Sequence, residues 1–443
     1  MKTAQGILIL FWLLNFLSPA FAQEGQPLAD KVKKLEAAMA KKDLEISEMK
    51  KTIFALSKTV ENLRPLPGDS VSTEPPETKG RPKIFKTVKL ARRKLEDEKI
   101  RAAIEEEKKR RVVVGASGTG VFQQIIDSKN SRDTSFAEGS LDFIFVSHPI
   151  AHTTFFGSLK AAGGEGPDQT VRSNAGLNAD AGSLQDTDGV DRVALSKAWI
   201  GGDYFNDHLE GAVGKIDLTN YFDANLAAND ETSQFLSSVF VNNPTLQQPG
   251  NGPGAIAFYD TRKSWRFGAG MQHSSNSGFA VADHPYFISE AEYTTHLFYG
   301  YEGNYRLWGH LNGARSGDNK GFGVSADQIL FPALTAFVRY GLNQPKGAMN
   351  KYAWSTGFEK KRLFPSRSSD ALGIAFGQQE GVAFKVDSLT EIYYRFFLSD
   401  HLSVSPHLQW LIRSSRPDLA APAGTLEKEK NVFVAGLRSQ VDF

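Results

Sequence analysis

From Val112 onwards the chain repeats with a period of two. Residues 402–410 show it most plainly: Leu402, Val404, Pro406, Leu408 and Trp410 alternate with Ser403, Ser405, His407 and Gln409. Residues 264–272, 334–340 and 391–398 do the same, and 305–312 more weakly. Successive side chains of a strand point to opposite faces, so each run reads as a strand with one apolar and one polar face. The last twelve residues, VFVAGLRSQVDF, carry Phe433, Ala435, Leu437, Ser439, Val441 and Phe443 on one side. Gly436, Arg438, Gln440 and Asp442 lie on the other.

The apolar faces must meet either a soluble core or lipid, and length separates the two. Strands of soluble proteins run about five or six residues. These run about nine or ten, as a tilted membrane-spanning strand requires. The turn-like stretches also alternate between short (398–401) and long (414–430), the asymmetry of outer-membrane barrels. At roughly 20 residues per strand with its loop, residues 112–443 make about 16 strands, enough to enclose an aqueous channel. The 40 glycines and 31 phenylalanines suit bends and interfacial aromatic girdles. The expected fold is an all-β transmembrane barrel of about 16 antiparallel strands, preceded by an N-terminal α-helical coiled coil.

The N-terminus supports export. Lys2, the apolar run 7–17 and Ala20-Phe21-Ala22 form a secretory signal over 1–22, cleaved before Gln23. A membrane anchor is the alternative, but the run falls short of the roughly 20 residues a spanning helix needs. No other apolar run approaches that length, and an exported chain without a spanning helix crosses a bilayer only as a closed barrel. An even strand number puts both barrel ends on one side. The expected location is the cell outer membrane, with an N-terminal extension in the periplasm. Residues 23–64 carry Val32, Met39, Ile46, Ile53 and Val60 at heptad a positions, with mostly leucine at d, and predict a coiled coil and hence a homo-oligomer. Residues 65–85 are a Pro-rich linker, 86–111 a charged helix and 112–443 the barrel.

Chemistry is excluded more than it is invited. There is no cysteine, so no disulfide, thiolate metal site or cysteine nucleophile exists. Net charge is +1, so no nucleic-acid partner is indicated. GASGTG (115–120) lacks the Lys-Ser/Thr of a phosphate loop and reads as a bend in the first strand. DTDGVD (186–191) lacks the remaining calcium ligands, and His148 and His152 flank Pro149, which weakens a metal pair. No metal, cofactor or catalytic triad is expected, and the protein reads as a non-enzyme. The densest polar stretch is 214–254. It is too long for a hairpin turn, and long loops inside ordered domains are usually functional. Folded into the lumen rather than lying on the surface, it would offer Asp223, Asn225, Asn229, Asp230 and Glu231, opposed by Arg266, Arg339 and Arg395 across a constriction.

The same stretch carries a resemblance. Gly214, Lys215, Asp217, Phe222, Asp223, Asn225, Asn229, Asp230, Gln234, Phe235 and the following Val241-Asn242-Asn243-Pro244 resemble a signature of the carbohydrate-selective outer-membrane porins (OprB-type). LFPSRSSDALGIAFG (363–377), EIYYRFFLSDHLSVSPHLQWLI (391–412) and AGLRSQVDF resemble three further motifs of that family, in order. The likeness covers most of 194–443. It implies a 16-strand barrel passing sugars and other small solutes by diffusion. Two departures stand out: no wall-binding module precedes the coiled coil, and Arg416-Pro417 stands where the family usually has Asn-Pro. The expected function is a porin for small hydrophilic solutes, carbohydrates among them, in contact with outer-membrane lipid. The alternative is an envelope tether whose barrel anchors a coiled coil reaching the cell wall.

Overall fold

The structure is a computed structural model that describes residues 112–126, 134–150, 152–171, 173–180, 192–274, 283–313, 319–344, 350–364, 367, 369–381, 386–413, 416–417, 426–427 and 430–443. The signal segment, coiled coil, linker and charged helix lie outside the described residues, as does 186–191.

Sixteen antiparallel strands close on themselves. In order they are β1 (Val112–Ile126), β2 (Ser135–Ser147), β3 (Thr153–Gly164), β4 (Arg192–Tyr204), β5 (Leu209–Ile216), β6 (Gly252–Asp260), β7 (Trp265–His273) and β8 (Pro285–Phe298). Then come β9 (Tyr301–Asn312), β10 (Asn319–Phe331), β11 (Leu334–Asn343), β12 (Asn350–Lys361), β13 (Ala371–Gly381), β14 (Val386–Phe397), β15 (Leu402–Arg413) and a closing strand (Lys430–Asp442). Each pairs with its sequence neighbours, and the closing strand pairs with β1 from Ser117↔Asp442 to Ile126↔Phe433. Closure leaves no unpaired edge, which a bilayer requires. β1 runs straight through Gly115–Gly120, so GASGTG is strand and not a bend.

The period-two pattern becomes an inside and an outside. Trp265, Phe267, Val338, Tyr340, Leu408, Trp410, Phe433 and Leu437 are exposed on the outer wall. Their alternates Arg266, Arg339, His407, Gln409 and Arg438 are buried inside. An apolar belt facing outward and a polar wall facing inward is the arrangement of a membrane barrel and the inverse of a soluble one. Connections at one end are short: 205–208, 261–264, 299–300 and 398–401. Those at the other end include 217–251 between β5 and β6, which does not leave the barrel.

Candidate channel constriction

Residues 217–251 fold inward and are buried for almost their whole length. Three aromatics dock the segment to the wall. Phe222 lies 5.2 Å from Phe258 of β6. Phe235 lies 5.0 Å from Tyr393 of β14 and 5.1 Å from Phe240 of the same segment. Burying one such ring stabilises by about 2 kcal/mol, so the segment has its own small apolar core within a polar lumen. The wall makes room with glycine. A Cβ on Gly270 would stand 2.7 Å from the Phe222 ring, and one on Gly341 would overlap the Thr245 hydroxyl.

The amides and carboxylates of the segment are largely spent on folding it. Asp217 accepts from the Thr219 backbone N–H at 3.1 Å. Asn225 accepts from Ala227 at 3.0 Å, Asp230 from Thr232 at 2.8 Å and Asn243 from Thr245 at 3.1 Å. Asn229 accepts from the Asn225 N–H at 3.2 Å. Side chains two residues before the N–H they accept from mimic backbone turns, which is why Asn and Asp crowd such sequences.

Arg339 and Asp223 do not face each other across a solute path. They form an ion pair at 2.8 Å. Asp223 also accepts from the Trp308 indole and the Asn243 N–H, each at 3.0 Å. Arg339 donates to the carbonyls of Phe240 at 2.6 Å and Asp223 at 2.9 Å. Asp223 sits in the left-handed region with φ 56°, a conformation Asp and Asn tolerate better than most residues. Arg395 donates to the Ser233 carbonyl at 3.1 Å. Arg266 does not meet the segment through an ion pair. It is held by Glu210 at 3.1 Å and Glu292 at 3.7 Å, with its guanidinium 3.8 Å from the Phe258 ring centre. Glu292 in turn meets Arg306 at 3.0 Å, and Arg306 meets Asp327 at 2.7 Å. The result is a rail of alternating charge from β5 to β10.

Three anchors were not among the residues singled out for the constriction. Arg438 donates to the carbonyls of Glu231 and Gln234, both at 2.8 Å. Glu391 of β14 accepts from the N–H groups of Leu236 at 2.7 Å and Ser237 at 3.0 Å. Glu290 of β8 accepts from the Asp223 N–H at 2.7 Å. Glu391 and Glu290 sit at alternate positions with other polar residues, and that period was their only sequence signal.

A second segment after β3, described over 165–171 and 173–180, also turns inward. Its backbone pairs with the first one: Ala179 donates to Leu236 at 2.8 Å, and Ser238 donates to Gly176 at 3.1 Å. Asp168 clasps it by accepting from the N–H groups of Leu177 at 2.8 Å and Asn178 at 3.1 Å. Burial pushes the Asp168 carboxyl up to about 6, against the pull of the Asn178 and Leu177 N–H groups.

The wall of β1–β4 keeps polar groups turned inward. Ser117, Asp142 and Lys160 are register neighbours across β1, β2 and β3, and Thr119 neighbours Ser140. Asp142 is only partly buried. Lys160 pairs with Asp180 of the second inward segment. The stretch GASGTG supplies Ser117 and Thr119 to this wall.

Comparison with known proteins agrees with this geometry. Residues 298–443 match the family described as "Carbohydrate-selective porin, OprB family". An uncharacterized protein of Aquifex aeolicus (strain VF5) is 26% identical over 230 residues, which are 52% of this chain and 63% of that relative. The matched part therefore spans less than two thirds of the relative's length. Two solved structures of Pseudomonas putida OprB, one at high and one at low pH, are similar with TM-scores of 0.62 and 0.52. Each is 14% identical, over 78% of this chain and 97% of the other. At that identity the likeness shows the fold. The described chain is a closed sixteen-strand barrel of porin-like fold whose C-terminal part, residues 298–443, matches the carbohydrate-selective porin family of OprB.

Proposed function

We propose that the protein is a passive channel of the outer membrane for small hydrophilic solutes, with carbohydrates as its preferred class. The observation that carries this reading is the inward segment 217–251. It is too well anchored to be a surface loop, and it occupies the lumen of a closed barrel whose outside is apolar. The matched family supports carbohydrate as the solute class. Hydroxyl-rich solutes suit a path lined by hydroxyls, amides and charges that exchange hydration for weak, multiple hydrogen bonds.

The constriction in this reading has two sides. Glu231 of the inward segment, presented by the turn that Asn229 and Asp230 shape, forms one. Ser117, Thr119, Ser140, Asp142 and Lys160 of the β1–β4 wall form the other. Asp223, Asn225, Arg266, Arg339 and Arg395 hold the segment or the wall in place and set the gap without touching solute. Passage requires no covalent step: binding must be favourable enough to enter and weak enough to leave. The N-terminal heptads extend the reading to a periplasmic coiled coil that joins copies of the chain and reaches towards the cell wall.

Reconstitution in planar bilayers tests the channel. Discrete conductance steps that shrink when sugars are added are expected. Folded, inserted protein that passes no current overturns the proposal.

A further inference from the structure

The turn joining β12 to β13 carries charge that the channel does not use. Lys360, Lys361 and Arg362 are consecutive, and Arg367 follows. The carboxylates beside them face inward: the Glu359 and Asp370 side chains are 2% and 1% exposed, whereas those of Lys361 and Arg367 are 45% and 40% exposed. Arg362 is exposed as well. The surface therefore shows an excess of positive charge at this point.

Its surroundings are those of a membrane interface. Lys360 shares the outward face of β12 with exposed Phe358, pairs in register with Leu334 and Leu372, and its Nζ donates to the Pro332 carbonyl at 2.9 Å. Phe331 and Phe364 are exposed nearby. The Phe364 ring lies 6.4 Å from Tyr394, which lies 4.3 Å from Phe396. Arg367 holds its guanidinium 5.5 Å from the Phe396 ring and donates to the Phe397 carbonyl at 3.2 Å. Asp370 accepts from the Tyr394 hydroxyl at 3.0 Å and pairs with Arg367. Aromatic rings and cations together at the rim of an apolar belt mark headgroup depth. The β6–β7 turn differs, because Arg262 there meets Asp207 at 3.2 Å with both groups exposed.

We propose that the β12–β13 turn is a binding site for anionic phospholipid in the leaflet at the short-turn end. Lys360 and Arg362 meet the phosphate, while Phe331, Phe364 and Phe396 bear on the first acyl carbons. The proposal rests on the barrel spanning a membrane, as argued above. Arginine and lysine near an anionic surface each strengthen association, and losing two is expected to weaken it by about thirtyfold.

The test uses the folded full chain in nanodiscs of phosphatidylcholine containing a minor fraction of phosphatidylglycerol. Lipid retained after extraction is counted by native mass spectrometry. Heat-modifiable migration and ion conductance are measured on the same samples to show an inserted barrel. Wild type is expected to retain phosphatidylglycerol over phosphatidylcholine. The double variant Lys360→Gln/Arg362→Gln is expected to lose about thirtyfold of that preference while conducting normally. Lys360→Arg/Arg362→Lys is expected to keep it, and so is Arg262→Gln. A conducting barrel whose double variant retains phosphatidylglycerol as wild type does overturns the headgroup site alone. So does loss of binding to isolated cell-wall sacculi in the double variant with lipid retention unchanged. A folded chain that never inserts overturns the channel reading and the site together.

Discussion

Arg339 of β11 and Asp223 of the inward segment meet at 2.8 Å, with their side chains 1% and 0% exposed. Neither charge has water to fall back on. Removing one member of such a buried pair leaves the other uncompensated, at a cost of about 3–5 kcal/mol. Asp223→Asn keeps the left-handed backbone and most of the shape, so it isolates the charge. The expected result is a lower denaturation midpoint for the segment and a larger, noisier single-channel conductance as the segment leaves its seat. Unchanged conductance and stability would show that the pair does not hold the constriction.

Gly341 tests the same seat from the wall side. Any side chain there overlaps Thr245 and Asn243 of the segment. Gly341→Val is expected to displace 243–246 and lower the protection of its amides against hydrogen exchange. The strand itself tolerates valine well. Gly309 is the control, since a Cβ there meets nothing within 4 Å except the Gly321 carbonyl oxygen at 3.7 Å. Gly309→Ala is expected to leave exchange at 243–246 as in wild type. Equal protection in both variants would remove the glycine seat from the account.

Acidity should act through Asp168. Its carboxyl in the seated segment lies near 6, above the ordinary value of 3.8. The seated form therefore binds its proton more tightly than a released form would. Seating gains stability as pH falls from about 6 towards 4, and this gain is absent above about 6. After correction for intrinsic exchange rates, the Leu177 amide is expected to be more protected at pH 5 than at pH 7. The shift allows a change of at most roughly a hundredfold. Asp168→Asn should abolish the difference. A wild-type profile without pH dependence contradicts the assignment.

What the sequence displayed and what it hid divide along one physical line. Alternation is local, so Leu408 against His407, or Val338 against Arg339, announced wall, lipid face and lumen face, and the length of 112–443 announced the strand number. The inward course of 217–251 was also legible from its length and polarity. The task of each polar group was not. Asp230 and Asn243 shape turns, and Arg266 belongs to a rail with Glu210 and Glu292. Those roles depend on which residue of a distant strand stands opposite, and period two cannot supply that. Nor did residues 165–180 show any pattern announcing that they pair with 236–239. Asp142 and Lys160 became candidates for the solute path only once β1–β4 were placed side by side.

A liposome-swelling series decides whether the barrel passes sugars. Liposomes carrying the folded protein are placed in isotonic solutions of sugars of graded size, from a pentose to a trisaccharide. The channel account predicts swelling that is fast for the smallest sugar and falls steeply with size, with the fall relaxed in Asp223→Asn. Inserted wild-type protein that admits no sugar at all, or an Asp223→Asn series that superimposes on wild type, would contradict it.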